Sequence, residues 1–218
     1  MKQIIKSNEP VSLTQHRASP HANFDNLSKD DVRNSLLTEQ GHICCYCMKR
    51  IPETNIIPST KIEHFLCQAD YPVQELNYTN MMLACSGQEG SPKHLQTCDT
   101  RKGNQTLSFN PSDQARNIED LIKYKSNGEI YSTDKTFNQE LETVLNLNVN
   151  TLKNNRRVIY EEVQKRIINE GRRIGNRALK KRFLESEKAR LLSLNNGKFR
   201  EFCMVGVYVI DKKLRRMN

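Results

Sequence analysis

Several features are missing from this chain of 218 residues, and each absence narrows what the protein can be. No run of about 18 apolar residues is present, so the sequence predicts no membrane-spanning helix. The opening stretch, MKQIIKSNEP, lacks the apolar segment of a secretory signal, and we therefore expect a cytoplasmic protein. No internal repeat or low-complexity tract stands out, and the length suits one large domain or two small ones.

The last third of the chain has few acidic residues to balance its basic ones. Residues 1–150 carry 15 Lys and Arg against 18 Asp and Glu, a net charge of −3, whereas residues 151–218 carry 19 against 7, a net charge of +12. Such asymmetry indicates a polyanionic partner, most simply nucleic acid. A solvated helix face that keeps the protein in solution explains the same charges, and so does docking on an acidic partner.

Changes of pattern along the chain predict three segments. Residues 1–27, broken by Pro10 and Pro20, are expected to form an arm with little regular structure. Residues 28–135 begin with a helix capped by Ser28, with Asp31 at its third position and Gly41 at its end. Loops and short strands then dominate 51–110, NPSD at 110–113 is a turn, and Asn127-Gly128 predicts a hairpin. Residues 136–218 are expected to be mainly helical, with a buried stripe of Ile159, Val163 and Ile167, weak points at Gly171 and Gly175, and a break at 195–197. The last segment favours a helix, although Val205, Val207 and Val209 alternate as in a strand.

The seven cysteines are an odd number, which argues against a disulfide framework in a cytoplasmic protein. Cys44 and Cys47 have the C-x-x-C spacing that lets two thiolates reach one tetrahedral zinc ion. Cys85 and Cys98 are the candidates for the second pair, since the polar stretch between them can bulge out as a loop. Cys45, Cys67 and His94 are alternative ligands, and a redox pair or plain burial are alternative interpretations.

A further group of polar residues lies between and beyond these cysteines. Glu63-His64 stands in KIEHF, Asn80 ends NYTN, and Asp99 follows Cys98 in CDTRKGN. This order resembles HNH nucleases, whose pattern is acid-His, then Asn, then Cys-His-x-x-Lys, with Asp99 here in the place of the last histidine. The resemblance implies an α+β fold: a small ββα-metal core with a zinc knuckle, flanked by an N-terminal helix and a mostly α-helical C-terminal third.

The chemistry of phosphodiester cleavage assigns an expected role to each residue. His64 suits the general base, because imidazole titrates near neutral pH, and Asn80 can orient its ring by bonding the loop that carries it. Glu63 and Asp99 offer carboxylates for one catalytic Mg²⁺ or Mn²⁺, although Glu63 can do so only if the strand bends there. Arg101 and Lys102 could bind phosphate. Taken singly, each residue has a plainer interpretation; Asp99, for example, could simply cap a helix.

A longer pattern, CxYC…IEHF…NYxNMMLAC…CDxRKGN…FNPSD…Y…NGEI…LNLN…L…R, covers roughly residues 30–165. It resembles the HNH proteins of Septu-type anti-phage systems and of retron neighbourhoods, the PtuB group. The resemblance implies a DNA or RNA substrate, an ABC-type ATPase as partner and, beside retrons, a reverse transcriptase with its RNA and DNA. The competing hypotheses are a zinc-stabilised nucleic-acid-binding module without catalysis and a regulatory subunit.

Overall fold

A computed structural model describes residues 1–53 and 60–217. Within these ranges the protein is an α+β fold with eight α-helices and two antiparallel two-stranded sheets, as the sequence predicts. In chain order the elements are α1 (Val11–Arg17), α2 (Asp30–Glu39), β1 (Thr60–His64), β2 (Met81–Cys85), α3 (Cys98–Lys102), α4 (Ile118–Leu121), β3 (Ile122–Tyr124), β4 (Ile130–Ser132), α5 (Lys135–Thr143), α6 (Asn150–Arg173), α7 (Arg177–Leu192) and α8 (Cys203–Arg215).

The N-terminal expectations need two corrections. The arm is not without regular structure: α1 begins directly after Pro10, where a fixed φ suits a helix start, and it buries Leu13 in the core. Helix α2 starts one residue later than predicted, after Lys29, and no side chain caps it. The predicted Ser28–Asp31 capping box is therefore wrong. The expected end at Gly41 is confirmed, since that glycine adopts a φ of +53° just after the helix.

The first sheet carries the candidate site. Strand β1 pairs with β2 in antiparallel register, with His64 opposite Met81 and Thr60 opposite Cys85. Every residue of β2 is buried. The Gln40 side chain ties the sheet to the end of α2, because it donates to the Leu83 carbonyl at 2.9 Å and accepts from the Leu83 amide at 2.7 Å. Part of the predicted loop-rich segment, residues 54–59, lies outside the described residues.

The second sheet is the predicted hairpin. Strands β3 and β4 flank Gly128, whose φ is +84°. A side chain at this position would also meet the Lys153 carbonyl oxygen at 1.9 Å, so the turn needs glycine for conformation and for space. The buried Arg156 of α6 donates to the Gly128 carbonyl at 2.6 Å and joins the hairpin to the helical third. The predicted turn at 110–113 is also confirmed, by the bond from the Asp113 amide to the Asn110 carbonyl.

The helical prediction for the C-terminal third is confirmed. Helix α6 ends at Arg173, between Gly171 and Gly175, and α7 ends before the predicted break at 195–197. Helix α8 packs against both of them and buries most of its first eight residues. One hydrophobic core runs through all three segments of the chain, and the domain boundaries after residues 27 and 135 stay predictions. In the part of the chain that the structure describes, no helix is both long and apolar enough to cross a membrane.

Candidate functional site

Four cysteine side chains converge in the interior, and they are the four that the spacing predicts. Cys44 and Cys47 lie in the turn after α2, Cys85 ends β2, and Cys98 begins α3. The sulfur atoms of Cys44 and Cys98 are 3.9 Å apart, those of Cys47 and Cys85 are 3.7 Å apart, and those of Cys85 and Cys98 are 3.8 Å apart. All four sulfur atoms lie within 4.8 Å of one another, so the cluster could hold a metal ion.

These distances can be compared with the geometry of a tetrahedral thiolate site. A Zn–S bond of about 2.3 Å places the four sulfur atoms of a regular tetrahedron about 3.8 Å apart. The three measured separations are within about 0.1 Å of that value. Two disulfides would instead bring the sulfur atoms of each pair to about 2.05 Å. The donor set and its spacing therefore fit a structural zinc ion.

The alternative ligands lie outside this cluster. Cys45 is buried beside Cys44 but is not one of the four converging residues. The sulfur atom of Cys67 is 3.2 Å from a carboxylate oxygen of Asp70. His94 is exposed in the loop between the second pair of cysteines.

That loop bulges out while its two ends stay joined, as expected. The Thr97 amide donates to the Gly87 carbonyl at 2.9 Å, and the Thr100 hydroxyl donates to the Ser86 carbonyl at 2.8 Å. Gly87 has a φ of +55°, and a side chain there would lie 2.1 Å from the Thr97 carbonyl oxygen. The close approach at Gly87 thus allows Cys85 and Cys98 to meet across an insertion of twelve residues.

A second polar cluster lies one residue further along α3. The Asp99 side chain is within hydrogen-bonding reach of the Glu63 carboxyl group at the end of β1. One oxygen of Glu63 also accepts bonds from the Tyr46 hydroxyl at 2.7 Å and from the Lys102 ammonium at 2.8 Å. Burial, together with the nearby Asp99, raises the pKa of Glu63 well above its usual range, and Lys102 opposes that shift. A positive charge beside the two carboxyl groups is therefore needed to stabilise their ionised form.

The environment of Lys102 could not be read from the sequence. Its side chain is only 1% exposed, its ammonium group bonds Glu63, and it also donates to the His64 carbonyl at 3.1 Å. In this arrangement the ammonium group faces the carboxylate cluster instead of solvent. Arg101, by contrast, bonds the carbonyls of Lys93 and Thr143 near the surface. Their predicted role in binding phosphate stays a prediction.

The side chain of His64 has different neighbours from that of Glu63, as alternation along a strand requires. Its Nε2 lies 2.9 Å from the Glu75 carbonyl oxygen, and the Phe24 ring meets it edge-on, with 4.5 Å between ring centroids. A carbonyl can only accept, so Nε2 carries the proton and Nδ1 carries the lone pair. Burial lowers the pKa of His64, while the Glu75 carbonyl and the Asp99 charge act in the opposite direction.

Asn80 braces the loop that follows His64. Its carboxamide oxygen accepts from the Leu66 amide at 2.8 Å, and its nitrogen donates to the carbonyls of Leu66 and Gln74 at 3.0 and 3.2 Å. Gln74 directly precedes the residue whose carbonyl holds the imidazole of His64. Asn80 therefore acts on the loop and forms no hydrogen bond with the ring itself.

Two side chains at this site were missed by reasoning from the sequence. Tyr46 contacts Glu63. Its position between two candidate zinc ligands in the sequence was the one feature that could have indicated a role at the site. Phe24 had no such signal, because it belongs to a segment that was expected to be irregular. Searches against protein-family models and against curated proteins find no match for this chain.

Proposed function

We propose that this protein is a metal-dependent HNH endonuclease that hydrolyses phosphodiester bonds of DNA or RNA. The observation that supports the proposal is that four polar side chains lie at the same end of the first sheet, although Glu63 and His64 alternate along β1 and have different neighbours. The β1–β2 hairpin and the helix α3 that follows it bring Glu63, His64, Asn80 and Asp99 to one end of the sheet. An acid, an imidazole, an amide that braces its loop and a second acid are the groups that such hydrolysis needs.

Glu63 and Asp99 would hold the catalytic Mg²⁺ or Mn²⁺. Their oxygen atoms suit a hard cation, and two carboxyl groups in contact require a proton or a cation between them. When bound, the ion would supply Lewis-acid stabilisation of the charge that develops on the phosphate. The cysteine cluster would hold a structural zinc ion that fixes the first residue of α3, directly before Asp99, and the turn that carries Tyr46.

The role of His64 follows from its hydrogen bond. With the proton of Nε2 held by the Glu75 carbonyl, Nδ1 is the atom that takes a proton from the attacking water. Asn80 is a positioning residue, because it fixes the loop from which that carbonyl projects. Arg101 and Lys102 would supply the phosphate contacts. Lys102 can do so only after its ammonium group leaves Glu63.

The biological setting of this proposal comes from the resemblance to the PtuB group. In that setting the chain would be the nuclease subunit of an anti-phage complex with an ABC-type ATPase and, beside retrons, with a reverse transcriptase and its nucleic acid. Activation by a partner is compatible with the closed state of His64, which is 5% exposed under Phe24.

The same closed state favours a second candidate function, a zinc-stabilised module that binds nucleic acid or a partner without catalysis. In that case the ion pair of Lys102 and Glu63 would be a permanent structural element and the Phe24 cover would never open. The two candidates predict different effects of losing His64.

The test is cleavage of labelled DNA and RNA by the complex purified with its genomic neighbours. His64→Ala should reduce the rate by about 10²- to 10⁴-fold, the usual contribution of a general base. Glu63→Ala and Asp99→Ala should regain part of their activity as Mn²⁺ is raised, whereas His64→Ala should not. His94→Ala removes an exposed imidazole outside the cluster and is the matched control.

Zinc content and melting temperature of each variant separate lost chemistry from lost fold. Cleavage by His64→Ala at the wild-type rate, in a complex that cuts, would reject the nuclease assignment of this site and leave the second candidate.

A further inference from the structure

An apolar groove lies on the helical third, away from both clusters described above. Two adjoining depressions of about 200 and 300 Å³ share Ile167, Ile168 and Lys213 and so form one groove along α6 and α8. On the stretch of α6 from Tyr160 to Arg172 the groove extends over roughly 18 Å, at 1.5 Å per residue. That length matches a helix of about 12 residues.

The floor of the groove is apolar and reaches the surface. Ile168 is 47% exposed although it stands on the side of α6 that faces the groove. Phe183, Leu184 and Met217 continue the floor at one end, and Val209 continues it at the other. Exposed apolar surface that is contiguous and framed by polar residues is typical of a protein interface.

The rim of the groove is basic throughout. Five cations and no acidic residue occur among the described residues that line it: Arg172, Lys180, Lys212, Lys213 and Arg216. None of the five forms an ion pair within the described part of the chain, although neighbours on the same helices do, such as Arg166 and Arg190 with Glu187. The rim is therefore free to pair with acidic groups from another molecule.

The apolar floor and the basic rim together distinguish between two possible ligands, nucleic acid and an acidic helix. Nucleic acid offers phosphates to the rim, but a backbone-binding mode leaves the apolar floor without a partner. An amphipathic helix with leucine-like residues on one face and acidic residues along its flanks satisfies both. A groove between packed helices also suits a further helix better than an extended strand, because helix ridges fit such grooves.

We propose that this groove, the α6–α8 groove, is a docking site for an acidic amphipathic helix of a partner protein. Burial of the apolar face would supply affinity, and the five cations would set orientation and exclude basic partners. The inference does not depend on whether the protein cuts nucleic acid.

The test uses the full chain and a labelled synthetic peptide of about 12 residues, with leucines at helical spacing and glutamates on both flanks. A peptide with lysine in place of each glutamate and a short duplex DNA are the comparison probes, and fluorescence anisotropy measures each dissociation constant. Ile168→Ser and Lys180→Glu should each weaken binding of the acidic peptide about tenfold. Val158→Ser and Lys165→Glu, which change exposed residues of α6 outside the groove, should leave it unchanged.

The proposal is overturned if the acidic peptide does not bind, or if it binds wild type and Ile168→Ser equally. It is also overturned if the basic peptide or the duplex binds here instead and Ile168→Ser weakens that binding. Self-association of the free chain that Ile168→Ser abolishes would assign the groove to a second copy of this protein.

Discussion

Charged side chains are buried around the two clusters, whereas in the helical third most of them are exposed. Near the clusters the decisive charges are buried and close together, as with Glu63 and Lys102, which are 2.8 Å apart and almost without exposure. In residues 151–218 the net charge is +12, and most of the cations lie on the surface of α6, α7 and α8. One region concentrates a few charges in a poorly solvated space, and the other spreads many charges over a solvated face.

This difference has an energetic consequence. A buried charge that loses its partner costs several kcal/mol, because solvent does not replace the partner, whereas an exposed ion pair contributes about 0 to 1 kcal/mol. Single substitutions near the clusters should therefore affect folding and metal binding strongly. Single substitutions on the helical surface should leave folding intact and alter only encounters with other molecules, and three experiments test this contrast.

The largest effect is expected at the cysteine cluster. Cys44→Ser should remove zinc and unfold the region around it, because structural zinc contributes about 10 to 16 kcal/mol in small zinc domains. Purified wild-type protein should hold about one zinc ion per chain, measured by elemental analysis, and the variant should show its loss together with a lower melting temperature.

Cys67→Ser is the control for that substitution, since its hydroxyl can keep the bond to Asp70 and it is not among the four converging cysteines. It should retain zinc and nearly the wild-type melting temperature. Full zinc loading in a Cys85→Ser, Cys98→Ser double variant would show that the second pair does not bind the ion.

The next effect is expected at the ion pair of the second cluster. Lys102→Met should lower the free energy of unfolding by about 3 to 5 kcal/mol in the absence of divalent ions, because Glu63 is left buried without its cation. Added Mn²⁺ should raise the melting temperature of this variant more than that of wild type, since the ion no longer competes with an ammonium group.

Lys61→Met is the matched control, because Lys61 pairs with Glu89 near the surface at a similar distance of 2.9 Å. It should cost at most about 1 kcal/mol and show no added response to Mn²⁺. If Mn²⁺ stabilises neither Lys102→Met nor wild type, Glu63 and Asp99 are not a cation site.

The smallest effect is expected at Arg156, a residue of the helical third that does not follow the contrast. Arg156 is buried and donates to the carbonyls of Gly128 and Leu147, at 2.6 and 2.7 Å. Arg156→Met should reduce the free energy of unfolding, measured with urea, by about 1 to 3 kcal/mol, because both carbonyls lose their donor. Its neighbour Arg157 forms an exposed pair with Glu161 at 3.9 Å, so Arg157→Met should cost only about 0.3 to 0.5 kcal/mol.

Equal stability of these two neighbouring variants would contradict the contrast between buried and exposed charge. It would mean that the Gly128 and Leu147 carbonyls find other donors, and that Arg156 is not what joins the hairpin to α6.

The features that could be predicted from the sequence are those that depend on neighbouring residues. The C-x-x-C turn, the Asn127-Gly128 hairpin and the helices of the last third follow from turn chemistry and hydrophobic period, which act over a few residues. The choice of Cys85 and Cys98 as the second pair was also predictable, because a polar insertion can loop out without moving its ends.

Errors occurred where a local signal was weaker than packing. Ser28 has the residue type of a helix cap, yet α2 begins after Lys29, and its first turn is placed by the burial of Val32 and Arg33. Helix α1 is too short to be predicted from the residue pattern. It is stabilised by Leu13, which is buried in the core.

Tertiary structure alone decided the environment of the candidate active site. The residue order around KIEHF contains an acid and a histidine, but it does not say that Glu63 meets Tyr46, Asp99 and Lys102, or that Phe24 covers His64. Residue types and short spacings settle which groups are available and which local turns form. Burial and charge pairing depend on contacts between segments far apart in the chain, and those contacts exist only once the core has assembled.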